Sequence, residues 1–211
     1  HSLAKAHRSR FHIPVIAVTG SRGKTVAKEW LYQLLRDDYR IVRSPRSYNS
    51  KIGVPLSLWE IDDNTTMAII EAGISQEGEM QALSDMIAPT AGLLTSISHE
   101  HDEGFDTHEH KVREKLSLFA GCQSLVCSAD NPVVHEALDE TGLNATAFLW
   151  SRTDAKCPVF INELVSNSDG TCITYTFNGK TSQCAVPFVQ DEMAYNLLNC
   201  LTIMLLLGFS T

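Results

Sequence analysis

Residues 17–30 read AVTGSRGKTVAKEW, and this stretch decides the fold. An apolar run, Val15–Thr19, leads into two glycines, then Lys24-Thr25. A segment with helical apolar spacing follows, at Val26, Trp30, Leu31, Leu34 and Leu35. Strand, glycine turn, Lys-Thr and helix in that order make a phosphate-binding loop. Gly20 and Gly23 let the backbone N–H groups of Gly20, Ser21, Arg22 and Gly23 face phosphate oxygens, and the helix start adds positive potential. Lys24 is placed to neutralise β- and γ-phosphate charge, and the Thr25 hydroxyl to ligate Mg²⁺. The common signature, GxxxxGK[ST], has a glycine where Val18 stands, so the loop is a shortened form.

Outward from the loop, apolar strands alternate with helical segments. Strands are expected at Ile41–Arg43, Thr66–Glu71, Gly92–Ser96, Leu125–Cys127 and Ala147–Trp150. Helices are expected at 24–36, in PLSLWEI, and at 77–87, 109–119 and 132–139. This alternation predicts an α/β fold with a mostly parallel central sheet covered on both faces, like the phosphate-loop NTPases. After Trp150 the pattern changes. Val159–Leu164, Thr171–Phe177 and Gln183–Val186 alternate around the turns SDG and NGK, which predicts a small antiparallel meander over about 157–187, before a last helix at 192–207.

Composition narrows the partners. The net charge of −8 gives no general attraction for nucleic acid, and an acidic protein that binds a polyphosphate calls for local cations such as a divalent metal. No run approaches the roughly 20 apolar residues of a membrane span, and the basic HSLAKAHRSRFH lacks the apolar centre of a signal peptide. The six cysteines show no CxxC pairing or zinc spacing, so they read as reduced thiols of a cytoplasmic protein.

A nucleotide site of this kind needs a carboxylate on a neighbouring strand end to hold the metal. Glu71, ending TMAIIE before Ala72-Gly73, falls at the carboxyl edge of the sheet. Residues 98–110, SHEHDEGFDTHEH, hold four of the eight histidines and five acids after the strand expected at Gly92–Ser96, at the same edge. The segment reads either as a solvated charged loop or as the source of one histidine ligand to Mg²⁺; its spacing fits no zinc site.

Four segments together, TGSRGKT, SYNSKIGVPLSL, EAGISQEGEM and TSISHEHDEGF, resemble the central ATP-binding domain of the Mur ligases, and most closely the MurF type. The wording KEWLYQLL…RSPRSYNS is similar to versions fused to an alanine racemase. The resemblance implies ATP-dependent amide formation in peptidoglycan precursor synthesis. In the MurF type, D-Ala-D-Ala is added to UDP-MurNAc-tripeptide through an acyl phosphate. By position it implies that Lys24 contacts the β/γ-phosphates and that Thr25 and Glu71 hold one Mg²⁺. It implies further that His101 ligates a second Mg²⁺, that Lys115 is carbamylated to bridge the metals, that Asn196 and Asn199 pack against the adenine, and that Asn49 lies near the γ-phosphate and acceptor. Several family residues differ: Ser47 and Ser50 replace asparagines, Ser96 replaces another, Ser117 a glutamate and Tyr195 a histidine.

The family has three domains. Residues 1–13 are accordingly expected to end a linker from an N-terminal domain and 14–211 to form the central domain, with the C-terminal ligase domain absent. Two other readings stand beside this one: a Mur-type ligase of the folylpolyglutamate or cyanophycin branch, or a nucleotide-binding module without catalysis.

Overall fold

The computed structural model describes residues 1–98, 105–187 and 191–209. The elements in chain order are α1 (Ser2–Arg8), β1 (Val15–Thr19), α2 (Lys24–Leu35), β2 (Ile41–Arg43), α3 (Gly53–Trp59), β3 (Met67–Glu71), α4 (Glu79–Ile87), β4 (Ala91–Leu94) and α5 (His108–Leu116). Then come β5 (Ser124–Ser128), α6 (Pro132–Thr141), β6 (Ala147–Ser151), β7 (Val159–Asn167), β8 (Gly170–Phe177), β9 (Lys180–Val186) and α7 (Asp191–Leu206). The strands join in one sheet in the order β2-β3-β1-β4-β5-β6-β7-β8-β9. All neighbours through β6–β7 run parallel, whereas β7–β8 and β8–β9 run antiparallel. The expected α/β sheet and meander are therefore both present, and the meander prolongs the main sheet.

Why the first strands read as unbroken apolar runs is plain from their burial: every residue of β1 and β3 is buried. Alternate residues serve two cores. Val15, Ala17, Ala68 and Ile70 pack with residues of α1, α3, α4, α5 and α6 on one face. Ile16, Val18, Met67 and Ile69 pack with α2 and α7 on the other. Covering both faces with helices is what permits a central parallel sheet. β1 lies between β3 and β4, and the helices leaving β1 and β3 go to opposite faces, which opens a crevice at their carboxyl ends.

Local signals explain most boundaries. Asn131 caps α6 by accepting from the N–H groups of Val133 and Val134, with Pro132 in the first helical turn. Ala88 ends α4 with φ 46°, just before Pro89. The helix expected at 109–119 is α-helical only to Leu116 and tightens into a 3₁₀ turn over Ser117–Phe119. The helix expected in PLSLWEI starts at Gly53 and stops at Trp59.

One element went unread. Sequence reasoning places nothing before Val15, yet α1 docks against α3 and α4. Ala4 enters the core, His7 Nε2 bonds the Ile61 carbonyl at 2.8 Å, and Arg8 donates to the carbonyls of Ile87 (2.9 Å) and Ala88 (3.1 Å). These bonds compensate burial of the Arg8 guanidinium, and that burial lowers its pKa.

Candidate functional site: a phosphate-type loop at the carboxyl edge

The loop between β1 and α2 is shaped by contacts that a side chain would break. Gly20 has φ 148°, and a Cβ there would fall 2.0 Å from Thr95 Oγ1. Gly23 caps α2 at φ 84°, and its Cβ would fall 2.3 Å from Asn196 Oδ1. The loop thus rests on Asn196 of α7 on one side and on the end of β4 on the other. Ser21 N donates to Ser96 O at 2.8 Å, and Thr95 Oγ1 donates to the carbonyls of Arg22 (2.7 Å) and Thr19 (3.1 Å). No side chain caps α2, so its first-turn N–H groups stay directed at the loop.

Four lysines, Lys24, Lys51, Lys111 and Lys115, line a cleft of about 550 Å³ that opens over this edge, together with Gly20, Ser21 and Asn49 among others. Lys24 Nζ donates to Gly20 O and Ser21 O, each at 3.0 Å, and Lys115 Nζ reaches the same Gly20 carbonyl at 3.3 Å. Lys111 Nζ donates to Ser98 O at 3.0 Å. Their charges act on one another. Burial first, then the neighbouring cations Lys24 and Lys111, lower the Lys115 pKa to about 7. Burial and Lys111 also lower that of Lys24, against the opposite pull of Glu71.

Beside the cations lies an oxygen site. The Thr25 hydroxyl donates to Glu71 Oε2 at 2.9 Å, and the Asn49 amide donates to Glu71 Oε1 at 2.8 Å. Glu71 is only 1% exposed, and its backbone N–H donates to the Ser44 hydroxyl at 3.0 Å. Of the residues singled out from sequence, Gly20, Ser21, Arg22, Gly23, Lys24, Thr25, Asn49, Glu71, Lys115 and Asn196 come together at this edge. His101 lies outside the described residues.

Asn199 has a different setting from the one expected. It is 0% exposed, and its Oδ1 accepts the Trp150 indole N–H at 2.8 Å, joining α7 to β6 inside the core. Its Nδ2 is buried without a hydrogen-bond partner among the described residues. Tyr195 packs edge-on against Trp150 with ring centroids 4.9 Å apart, and burial raises its hydroxyl pKa.

Three lysines escaped sequence reasoning, and one of them, Lys51, lines the cleft and pairs with Glu79 Oε1 at 3.1 Å. Lys111 precedes Lys115 by one helical turn, and that i,i+4 spacing was the available signal. Lys28 stands one turn after Lys24 and is 0% exposed; nothing in VAKEWL distinguishes it from a solvated helix lysine.

Comparison with known proteins fits this geometry. The chain is 33% identical over 138 residues to the UDP-N-acetylmuramoyl-tripeptide–D-alanyl-D-alanine ligase of Bacillus subtilis, covering 64% of the chain and 30% of that relative. With the enzyme of the same name from Rickettsia prowazekii it shares 27% identity over 197 residues, covering 92% of the chain and 44% of the relative. In fold it superposes on MurF of Acinetobacter baumannii with a TM-score of 0.87 at 22% identity, over 99% of the chain and 46% of that structure. The ADP complex of MurF ligase from Thermotoga maritima gives 0.85 at 20% identity, over 100% of the chain and 49% of that structure. The chain thus spans less than half the length of each of these proteins. The Mur ligase middle domain matches residues 18–204, which take in the shortened loop, Glu71, the lysine-bearing α5 and nearly all of α7, and on this match the chain belongs to the Mur ligase middle domain family.

Proposed function

We propose that the protein carrying this chain is an ATP-dependent amide ligase that joins D-Ala-D-Ala to UDP-MurNAc-tripeptide, and that this chain is its nucleotide-holding core. The observation that carries the proposal is the 2.9 Å approach of the Thr25 hydroxyl to Glu71, directly beside Lys24 and a lysine-lined cleft. The shared name of the curated relatives supports the substrate pair.

A hydroxyl and a carboxylate oxygen are hard donors of the kind Mg²⁺ takes, so Thr25 and Glu71 fit one Mg²⁺. His101 and a carbamylated Lys115 are the proposed holders of a second. Bound there, Mg²⁺ would offset charge on the phosphoryl oxygens. The backbone of Gly20–Gly23 and Lys24 cradle the triphosphate. Asn49 holds Glu71 on the acceptor side, Asn196 supports the loop from below, and Asn199 positions β6 against α7. The tripeptide carboxylate attacks the γ-phosphorus, releasing ADP and forming an acyl phosphate; the amine of D-Ala-D-Ala then displaces phosphate to give the amide. Positioning and charge neutralisation supply most of the acceleration in such transfers.

In the same proposal, residues 1–13 lead in from an N-terminal domain that binds the UDP-sugar, a C-terminal domain completes the site, and a fused alanine racemase accompanies them. The reaction belongs in the cytoplasm. Among the described residues, no helix is long and apolar enough to cross a membrane.

The test is Lys24→Ala in the complete natural protein. D-Ala-D-Ala-dependent phosphate release is expected to fall by about 10³-fold or more, the scale of losing a principal electrostatic group. Turnover at the wild-type rate would sink the proposal. Release driven by glutamate or aspartate in place of D-Ala-D-Ala would move the protein to another branch of the family.

A further inference from the structure

Lys28 is the group in this region whose position the nucleotide-binding scheme leaves unexplained. Its ammonium is fully buried on α2, a location that costs free energy unless every proton is used. They are used: Nζ donates to Ser44 O at 2.7 Å and to Arg46 O, and it stands 3.2 Å from Glu29 Oε1 and 3.7 Å from Glu71 Oε2. The two carbonyls belong to the segment after β2, which turns through Arg46 in a left-handed conformation, φ 49°, rarely adopted by a residue with a side chain. That segment also carries the Ser44 hydroxyl, which accepts from Glu71 N, and Asn49, whose amide donates to Glu71 Oε1 while its carbonyl accepts from Gly73 N at 2.8 Å.

We propose that Lys28 is a positioning residue for the metal-binding carboxylate: it pins the strained 44–46 turn to α2, so that Asn49 and Ser44 hold Glu71 in register with Thr25. This rests on the assignment of Thr25 and Glu71 to Mg²⁺. The distances favour a strap over a direct ligand. Lys28 lies at hydrogen-bonding distance from the backbone carbonyl of Ser44, but one ångström farther from Glu71. Its ammonium therefore fixes the strap and serves as counter-charge to a buried acid, while leaving the lone pairs of Glu71 to Thr25, Asn49 and a metal. Glu29 closes the network: it pairs with Lys28 and, at 3.0 Å, with Arg43, whose guanidinium lies 3.6 Å over the Tyr32 ring.

The experiment measures ADP binding by calorimetry, with and without Mg²⁺, in the complete natural protein and its Lys28→Met, Lys28→Gln and Asn49→Ala variants. Lys28→Met keeps the length of the side chain and removes its donors. It is expected to weaken the Mg²⁺-dependent part of ADP binding by about tenfold, the low end for groups that orient a metal ligand, and to leave metal-free ADP binding within about twofold. Lys28→Gln, which keeps a donor for one carbonyl, should retain more of the metal dependence and serves if the Met variant does not fold. Asn49→Ala placed on Lys28→Met should add little, because both act through one strap. Lowered thermal stability with unchanged metal dependence would reduce Lys28 to a packing residue and overturn the proposal, as would full additivity with Asn49→Ala. A wild-type protein whose ADP binding ignores Mg²⁺ would overturn the metal assignment, and this inference with it.

Discussion

The two ends of the sheet are built on opposite plans. In the parallel part, β1 and β3 are buried along their whole length, and the chain's chemistry sits in the loops that leave their carboxyl ends. In the meander, β8 alternates between buried and half-buried residues and β9 between half-buried and exposed ones. Both ends carry polar side chains, but only the first gathers them at one point. A parallel strand must hand the chain to a helix at each end, so successive carboxyl-end loops open on the same edge. Antiparallel strands turn back at alternate ends, so the tight turns at Ser168-Asp169 and Asn178-Gly179 fall on opposite edges. The meander lengthens the sheet; the loops of the parallel part make the site.

Substitutions can break this contrast, beginning with the loop. Gly20→Ala puts a Cβ 2.0 Å from Thr95 Oγ1 at a φ of 148°. It should lower unfolding free energy by about 3 kcal/mol, combining backbone strain with a displaced buried hydroxyl, as read from denaturant midpoints. A loss within experimental error would mean that the loop has slack and that the close β1–β4 approach does not hold it.

A smaller effect concerns the lysine cluster. The folded-state pKa of Lys115, about 7, lies below the ordinary lysine value of 10.5, so between these limits the unfolded chain binds more protons and stability rises with pH. Below pH 7 both states are protonated and the cost of burying the cation is fully present. Without metal or nucleotide, Lys115→Met should remove a slope of up to about 1.4 kcal/mol per pH unit between pH 7 and 8, a window below most cysteine titration. Equal slopes in variant and wild type would show that Lys115 finds a counter-charge in the folded protein.

The smallest effect is expected at the far end. Gln183 is exposed on β9 and donates to Thr174 Oγ1 at 3.1 Å. Gln183→Ala should change stability by no more than about 0.5 kcal/mol and leave ADP affinity unaltered. A change in nucleotide affinity would mean that the meander communicates with the loop, and the two-plan view would have to go.

Much of the architecture was legible along the chain. VIAVT and MAIIE read as buried strands because covering a parallel sheet on both faces leaves no polar alternation to find. ADNPVV announced the start of α6, and the SDG and NGK turns marked the hairpins. What stayed hidden depended on distant partners. SLAKAHR has too little apolar surface to announce a helix, and α1 is secured by bonds from Arg8 to carbonyls some 80 residues away. A lysine on α2 reads as solvated until Ser44, Arg46 and Glu71 are folded around it.

By itself, then, the sequence determined the alternating strands and helices, the phosphate-type loop and the carboxylate at the end of β3, because hydrophobic periodicity, glycine and cap chemistry act over a few residues. Tertiary structure alone decided which polar side chains face the cleft and which serve the core. Asn196 and Asn199 are three residues apart on one helix, yet one supports the loop and the other holds an indole. Lys24 and Lys28 are one turn apart, yet one lines the cleft and the other is buried beneath it. Burial and hydrogen-bond satisfaction are properties of the assembled neighbours, and no local pattern carries them.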